Sequence, residues 1–301
     1  MTATTQVLTQ AQREHFLTYG FVIIEGAYPR ELCDEQAAGA WERLGYKADD
    51  PSTWAEEKIH MPSRQSFPFR VHAPRAFAAV QELMGADRFK GEPGTGNGFI
   101  LNLRLGADKP WIPPSPEAGG WHKDGDFFRH FLDSPEQGLL GIVLWQGVQP
   151  KSGGTFIACD SIGVVARFLA QHPEGRRPNE MQCHELIKEC KDFREVTGNT
   201  GDIALLHPFM LHASSRNPSG RPRFITNPVV QLKDPMQFNR PDGDYSLVEQ
   251  GVLRGLGVAS YDFVPTAPRE AIVPARVAMQ QKLKEEEDRR LAAKLAAAAA
   301  G

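Results

Sequence analysis

Gly201-Asp-Ile-Ala-Leu-Leu-His207-Pro-Phe-Met-Leu-His212-Ala-Ser-Ser-Arg216 decides how the chain is read. A Gly-Asp turn opens a compact apolar run, Ile203 to Leu206, which predicts a short buried strand. Similar runs lie on both sides of it. Phe21-Val-Ile-Ile24, Leu139-Leu-Gly-Ile-Val-Leu-Trp145, Gly153-Gly-Thr-Phe-Ile-Ala158, Phe224-Ile-Thr226 and Val229-Val-Gln-Leu232 each read as a strand, with Phe193-Arg-Glu-Val196 as an exposed one. Phe99 to Leu105 alternates past Ile100 and sets Asn102 and Arg104 on the face opposite Leu101, Leu103 and Leu105.

Helices gather at the start of the chain. Thr9-Gln-Ala-Gln12 is a capping box for a helix that Gly20 ends, and others are expected over Arg30 to Leu44, Ala76 to Met84 and Ser161 to Gln171. Short strands at this density, with Gly and Pro turns, predict a mostly β fold with flanking helices, a double-stranded β-helix or jelly roll of the cupin kind. Residues 1–274 are expected to form that domain, and 275–301 a charged, Ala-rich helical tail that is solvated rather than part of a site. Lys47 to Pro74, with prolines at 51, 62, 68 and 74, reads mostly as loop. Its Trp54, His60, Arg64, Phe67, Phe69 and Arg75 fit either a surface loop packed by its own aromatics or a substrate lid. Gly91 to Gly98 lacks the lysine and helix of a phosphate loop and reads as a hinge.

Composition narrows the function. Apolar content of 41% with 24% charged residues marks a globular chain. The net charge of -3 hides no long block of one sign, which argues against a nucleic-acid partner. The four cysteines show no C-x-x-C spacing and read as reduced thiols. No signal-peptide pattern and no run of eighteen apolar residues is present, so a cytoplasmic protein without a membrane partner is expected. Oligomeric state is open.

The candidate chemistry begins at Trp121-His122-Lys123-Asp124. On an extended strand His122 and Asp124 point to one face and can reach one metal ion. His212, 88 residues after Asp124, supplies a third ligand. Two imidazoles and one carboxylate form the facial triad of non-haem Fe(II) oxygenases, with three adjacent positions left open. His207 is the competing ligand, but it would leave His212 unexplained and fits core packing or support of the ligands better. An arginine beyond His212 can bind a co-substrate carboxylate in bidentate fashion. Arg221 and Arg223 share one strand face, so alternation alone does not choose between them.

With these residues in place the sequence resembles the phytanoyl-CoA dioxygenase-like family of Fe(II)/2-oxoglutarate oxygenases. The likeness spans most of Gln6 to Leu232 and includes Leu8-Thr9, Gln12, Phe16 and Gly20-Phe-Val22, then Gly201-Asp202 before the second histidine. It implies that His122, Asp124 and His212 bind iron, and that Arg223 and Ser214 hold the C5 carboxylate of 2-oxoglutarate. Asn102 would touch the co-substrate. The expected reaction uses O2, hydroxylates a small organic molecule and releases succinate and CO2. Asp124 is retained where related halogenases carry a small residue, so hydroxylation is expected over halogenation. The alternatives are a jelly-roll protein that binds a metal or small molecule without catalysis, and a cupin-type oxygenase that needs no 2-oxoglutarate. Asp126, Phe127, Phe128 and Arg129 are candidates to line the cavity, and Trp145 is expected in the core.

Overall fold

The computed structural model describes residues 6–300. Helix α1 (Gln10–Tyr19) leads into β1 (Phe21–Ile24) and α2 (Arg30–Leu44). Strands β2 (Lys58–His60) and β3 (Ser66–Pro68) follow, then α3 (Phe69–His72), α4 (Pro74–Met84), β4 (Gly94–Gly96) and β5 (Ile100–Asn102). A long irregular stretch carries the H-x-D step to β6 (Leu139–Leu144), β7 (Thr155–Ala158), α5 (Ser161–Ala170) and α6 (Cys183–Leu186). The chain closes with β8 (Phe193–Val196), β9 (Ile203–Leu206), β10 (Leu211–Ser214), β11 (Arg223–Thr226), β12 (Val229–Val230), α7 (Leu247–Leu256) and α8 (Arg276–Ala300).

The fold is sheet-rich, with flanking helices and antiparallel pairing. The larger sheet runs β1-β9-β6-β11-β5-β2, with β12 also on β6; a three-stranded sheet runs β10-β7-β8, and β3 pairs with β4. Alternation explains how the layers meet. Leu140, Ile142, Leu144, Ala204, Leu206 and Ile225 leave one face of the larger sheet and pack with Ile157, Cys159 and Val196 of the smaller one. The intervening Leu139, Val143, Ile203, Leu205 and Phe224 turn to the other face and join the cluster that holds Phe16, Ala37, Val80 and Val252 from the helices. Trp145 is fully buried, as expected, and its indole N–H donates to Thr226 Oγ1 at 2.9 Å.

Local signals placed the first elements well. Thr9 and Gln12 cap α1 reciprocally, and Gly20 ends it at φ 74°, a left-handed conformation that suits glycine. The four cysteines are free thiols. No helix among the described residues is long and apolar enough to cross a membrane.

Three expectations change. The stretch from Lys47 to Pro74 contains β2, the edge strand of the larger sheet, and β3. Its Trp54, Phe67 and Phe69 lie in the main core, stacked on or edge-on to Trp41, Trp145 and Tyr28 from outside the stretch, so it is neither a loop packed on its own aromatics nor a free lid. The glycine-rich stretch expected as a hinge contains β4, where Gly94 faces the Phe67 and Pro68 backbone so closely that a Cβ would clash at 2.9 Å. The tail is exposed along most of its length, as expected, but it is docked on the fold and not free. Glu287 of α8 is 3% exposed and pairs with both Arg43 and Arg64, because a buried carboxylate must be matched by cations.

Candidate active site

His122 and His212 meet as partners of an isolated antiparallel bridge, each backbone N–H donating to the other's carbonyl at 3.0 and 2.9 Å. This adds the H-x-D step to the edge of β10, and the two imidazoles lie 4.3 Å apart between ring centres. Each His Nδ1 faces its own chain's carbonyl two residues back, Gly120 O at 2.9 Å and Met210 O at 3.1 Å. A carbonyl only accepts, so Nδ1 carries the proton and Nε2 keeps its lone pair for a ligand. Asp124 Oδ1 lies 3.5 Å from both Nε2 atoms. One ligand atom from each of the three residues falls within 4.8 Å of the others. Lys123 points the other way. It is buried and donates to the Asp124 carbonyl and to Gln137 Oε1, with His130 Nδ1 at 3.1 Å, and so ties down the loop between the ligands.

Charge follows from this packing. Burial alone would raise the Asp124 carboxyl, but the His212 and His122 rings hold it well below the usual carboxylate range. Desolvation opposes protonation of His122, yet Asp124 outweighs it and raises that imidazole. The anionic carboxylate and two inward Nε2 atoms form a donor set that fits a divalent first-row metal.

A second polar group is built by register. Lys58, Asn102 and Arg223 are Cα partners across β2, β5 and β11, so they share the face of the larger sheet that looks toward the smaller one. From the smaller sheet, Thr155 and Ser214 pair opposite each other on that same inner face. Arg223 is 2% exposed. Its Nη1 donates to Thr155 Oγ1 at 3.2 Å, its Nε has no partner, and among the described residues no carboxylate pairs with it. Burial pulls its pKa down to about 10. A buried guanidinium left this way fits an anion that the protein does not supply. Arg221 instead lies exposed outside β11.

Ser214 Oγ accepts from Lys58 Nζ at 2.7 Å, which leaves the hydroxyl proton free to donate. Burial and the neighbouring Arg223 lower the Lys58 pKa. Asn102 is fully buried, and its amide is already engaged, donating to Ser215 O and accepting from Leu105 N. His207 is a core residue: its ring contacts Val248 O and accepts from the Phe209 N–H, and burial lowers its pKa to about 3.

A cavity of about 490 Å³ opens onto the triad, lined by His60, His122, Asp124, Phe127, Arg276 and Gln280 among others. Asp126 and Phe127 line it as expected, whereas Phe128 is buried and Arg129 pairs with Glu270. Three contributors escape a reading of the sequence. Lys58 sits in a three-residue strand too short to show a period, and Arg276 and Gln280 come from the tail. Asn227, whose Nδ2 donates to Asp124 Oδ2 at 3.1 Å, was findable, since alternation from Arg223 puts it on the same face.

No protein-family model and no curated protein matches the chain. Solved structures do. HygX from Streptomyces hygroscopicus with nickel and 2-oxoglutarate bound is 16% identical, with 75% of this chain and 88% of that one covered and a TM-score of 0.45. The epimerase SnoN in complex with Fe3+, alpha ketoglutarate and nogalamycin RO is 15% identical over 89% and 96%, at 0.45. AviO1 from Streptomyces viridochromogenes Tue57 is 14% identical over 76% and 96%, at 0.46. Likeness at this distance assigns no role to any residue here.

Proposed function

We propose that the chain is a jelly-roll Fe(II)- and 2-oxoglutarate-dependent dioxygenase of the phytanoyl-CoA dioxygenase-like kind, which hydroxylates a small organic molecule. The observation that carries this is the buried, carboxylate-free Arg223 on the face of the larger sheet that looks toward the smaller sheet, whose edge strand β10 carries His212 of a two-histidine, one-carboxylate cluster. His122, Asp124 and His212 would hold Fe(II), and Arg223, Ser214 and Lys58 would bind the C5 carboxylate. Iron, 2-oxoglutarate and O2 supply the oxidising chemistry when bound, with succinate and CO2 released.

The chain's own contribution is position and polarity. Peptide carbonyls that face Nδ1 set both imidazoles in the tautomer whose Nε2 can ligate a metal. Arg223 offers its fork from a strand buried in the sheet, which aligns a dicarboxylate lengthwise. Ser214 adds a neutral donor, and Asn102 holds the backbone beneath both groups. Phe127, Met61 and Val229 give part of the cavity wall an apolar surface against which an organic substrate would pack.

The test is succinate formation by Fe(II)-loaded protein from 2-oxoglutarate under air, with and without fractionated small-molecule extracts. Turnover that requires iron and rises with one fraction is the expected result. Protein that binds Fe(II) and 2-oxoglutarate but never forms succinate would be the non-catalytic binding protein instead, and turnover without 2-oxoglutarate would make Arg223 dispensable.

A further inference from the structure

We infer that Asn227 is a positioning residue that holds Asp124 to one-oxygen coordination and so keeps the third open metal position available. The inference rests on the proposed iron site. Both imidazole Nε2 atoms lie 3.5 Å from the same carboxylate oxygen, Oδ1. The other oxygen, Oδ2, accepts from Asn227 Nδ2 at 3.1 Å. The two ends of the carboxylate therefore have separate tasks.

The stoichiometry of the proposed reaction makes that separation matter. Three protein atoms on an octahedral ion leave three positions, of which a chelating keto acid takes two and O2 the last. A carboxylate free to turn can bind through both oxygens and remove one of them. An amide N–H on Oδ2 opposes that turn and adds no charge, whereas an ammonium there would compete for the negative charge that the metal needs.

Asn227 is well held for such a role. It follows β11 and shares its inner face with Arg223 and Ile225, so one strand carries the co-substrate anchor and, about 13 Å further along, the ligand brace. Pro228 comes next and confines the Asn227 backbone to extended conformations. Pro228 O in turn accepts from Gly141 N at 2.7 Å, which pins this corner to β6.

The test compares wild type with Asn227→Leu, similar in shape without the donor, and Asn227→Gln, which restores an amide. Asn227→Ser replaces the leucine variant if that does not fold. Anaerobic Fe(II) titration and the Fe(II)·2-oxoglutarate charge-transfer band are read alongside Tm. Asn227→Leu is expected to bind Fe(II) about 10- to 100-fold more weakly, as for other groups that brace metal ligands. It should also show a shifted or weakened band at near wild-type Tm, with partial recovery in Asn227→Gln. Wild type that takes up Fe(II), with a leucine variant matching it in affinity and band, overturns this inference alone. Wild type that takes up no Fe(II) overturns the iron reading and this inference together.

Discussion

Replacing Arg223 with methionine should have opposite effects on the empty and the loaded protein. Burial lowers the guanidinium pKa to about 10, so keeping the charge in place costs the empty fold about 3 kcal/mol. The sign follows from linkage: the folded pKa lies below the unfolded one, so the cost is present in full at every pH below about 10. It is relieved only as pH climbs from there toward the ordinary guanidinium range. Methionine removes the charge at the expense of one hydrogen bond to Thr155, worth about 1 kcal/mol. The metal-free variant should therefore be about 2 kcal/mol more stable than wild type, roughly 3 °C in Tm for a chain of this length. Binding of 2-oxoglutarate should move the other way. A C5 carboxylate buried without its cation loses about 3 to 5 kcal/mol, or roughly two to four orders of magnitude in Kd. Differential scanning calorimetry of the metal-free proteins and anaerobic titration of the Fe(II)-loaded ones measure the two halves. An Arg223→Met protein that is less stable when empty and still binds 2-oxoglutarate like wild type would refute the reasoning.

Other expectations follow from single contacts. His122→Ala, Asp124→Ala and His212→Ala should each abolish Fe(II) binding in equilibrium dialysis with little change in Tm, while His207→Ala should keep the metal and lose stability. His207 titrates near 3 when folded and near 6.5 when unfolded. Stability tied to it is therefore complete above about pH 6.5 and lost as pH falls toward 3, by up to about 5 kcal/mol. Urea melts at stepped pH should show that limb flattened in His207→Gln. Glu287→Ala should cost about 3 to 5 kcal/mol, since it leaves the buried Arg43 guanidinium without a carboxylate while Arg64 keeps only Asp288; a change below 1 kcal/mol in urea melts would discount the buried cluster.

What could be read from the sequence were features with a local signature. Capping residues and Gly20 bounded α1, and alternation set Asn102 on the face opposite Leu101 and Leu103, whereas His212 was legible from the need for a third ligand and Ser214 only from the family resemblance. Alternation left Arg221 and Arg223 level, and only the start of β11 separates them. Residues paired across long separations carried no such signature. Four proline positions made Lys47 to Pro74 look like loop, although an edge strand needs only three residues once a neighbour offers hydrogen bonds. Helix α7 was missed despite Ser246 and Glu249, a capping box like that of α1. Glu287 is one of three successive glutamates, and its partner Arg43 lies 244 residues away. Helical periodicity does not say which of them is drawn inside.

The position of α8 separates two kinds of inheritance in this molecule. Its first turns give Arg276 and Gln280 to the rim of the cavity, and about two turns after Gln280, Glu287 fastens it beside α2. None of these residues is among the metal or co-substrate candidates. Insertions, deletions or recombination near the end of the chain can therefore redraw the entrance, and with it the range of molecules admitted, while the reactive centre stays as it was. The residues that shape the entrance and the residues that form the candidate metal cluster thus lie in different stretches of the same chain.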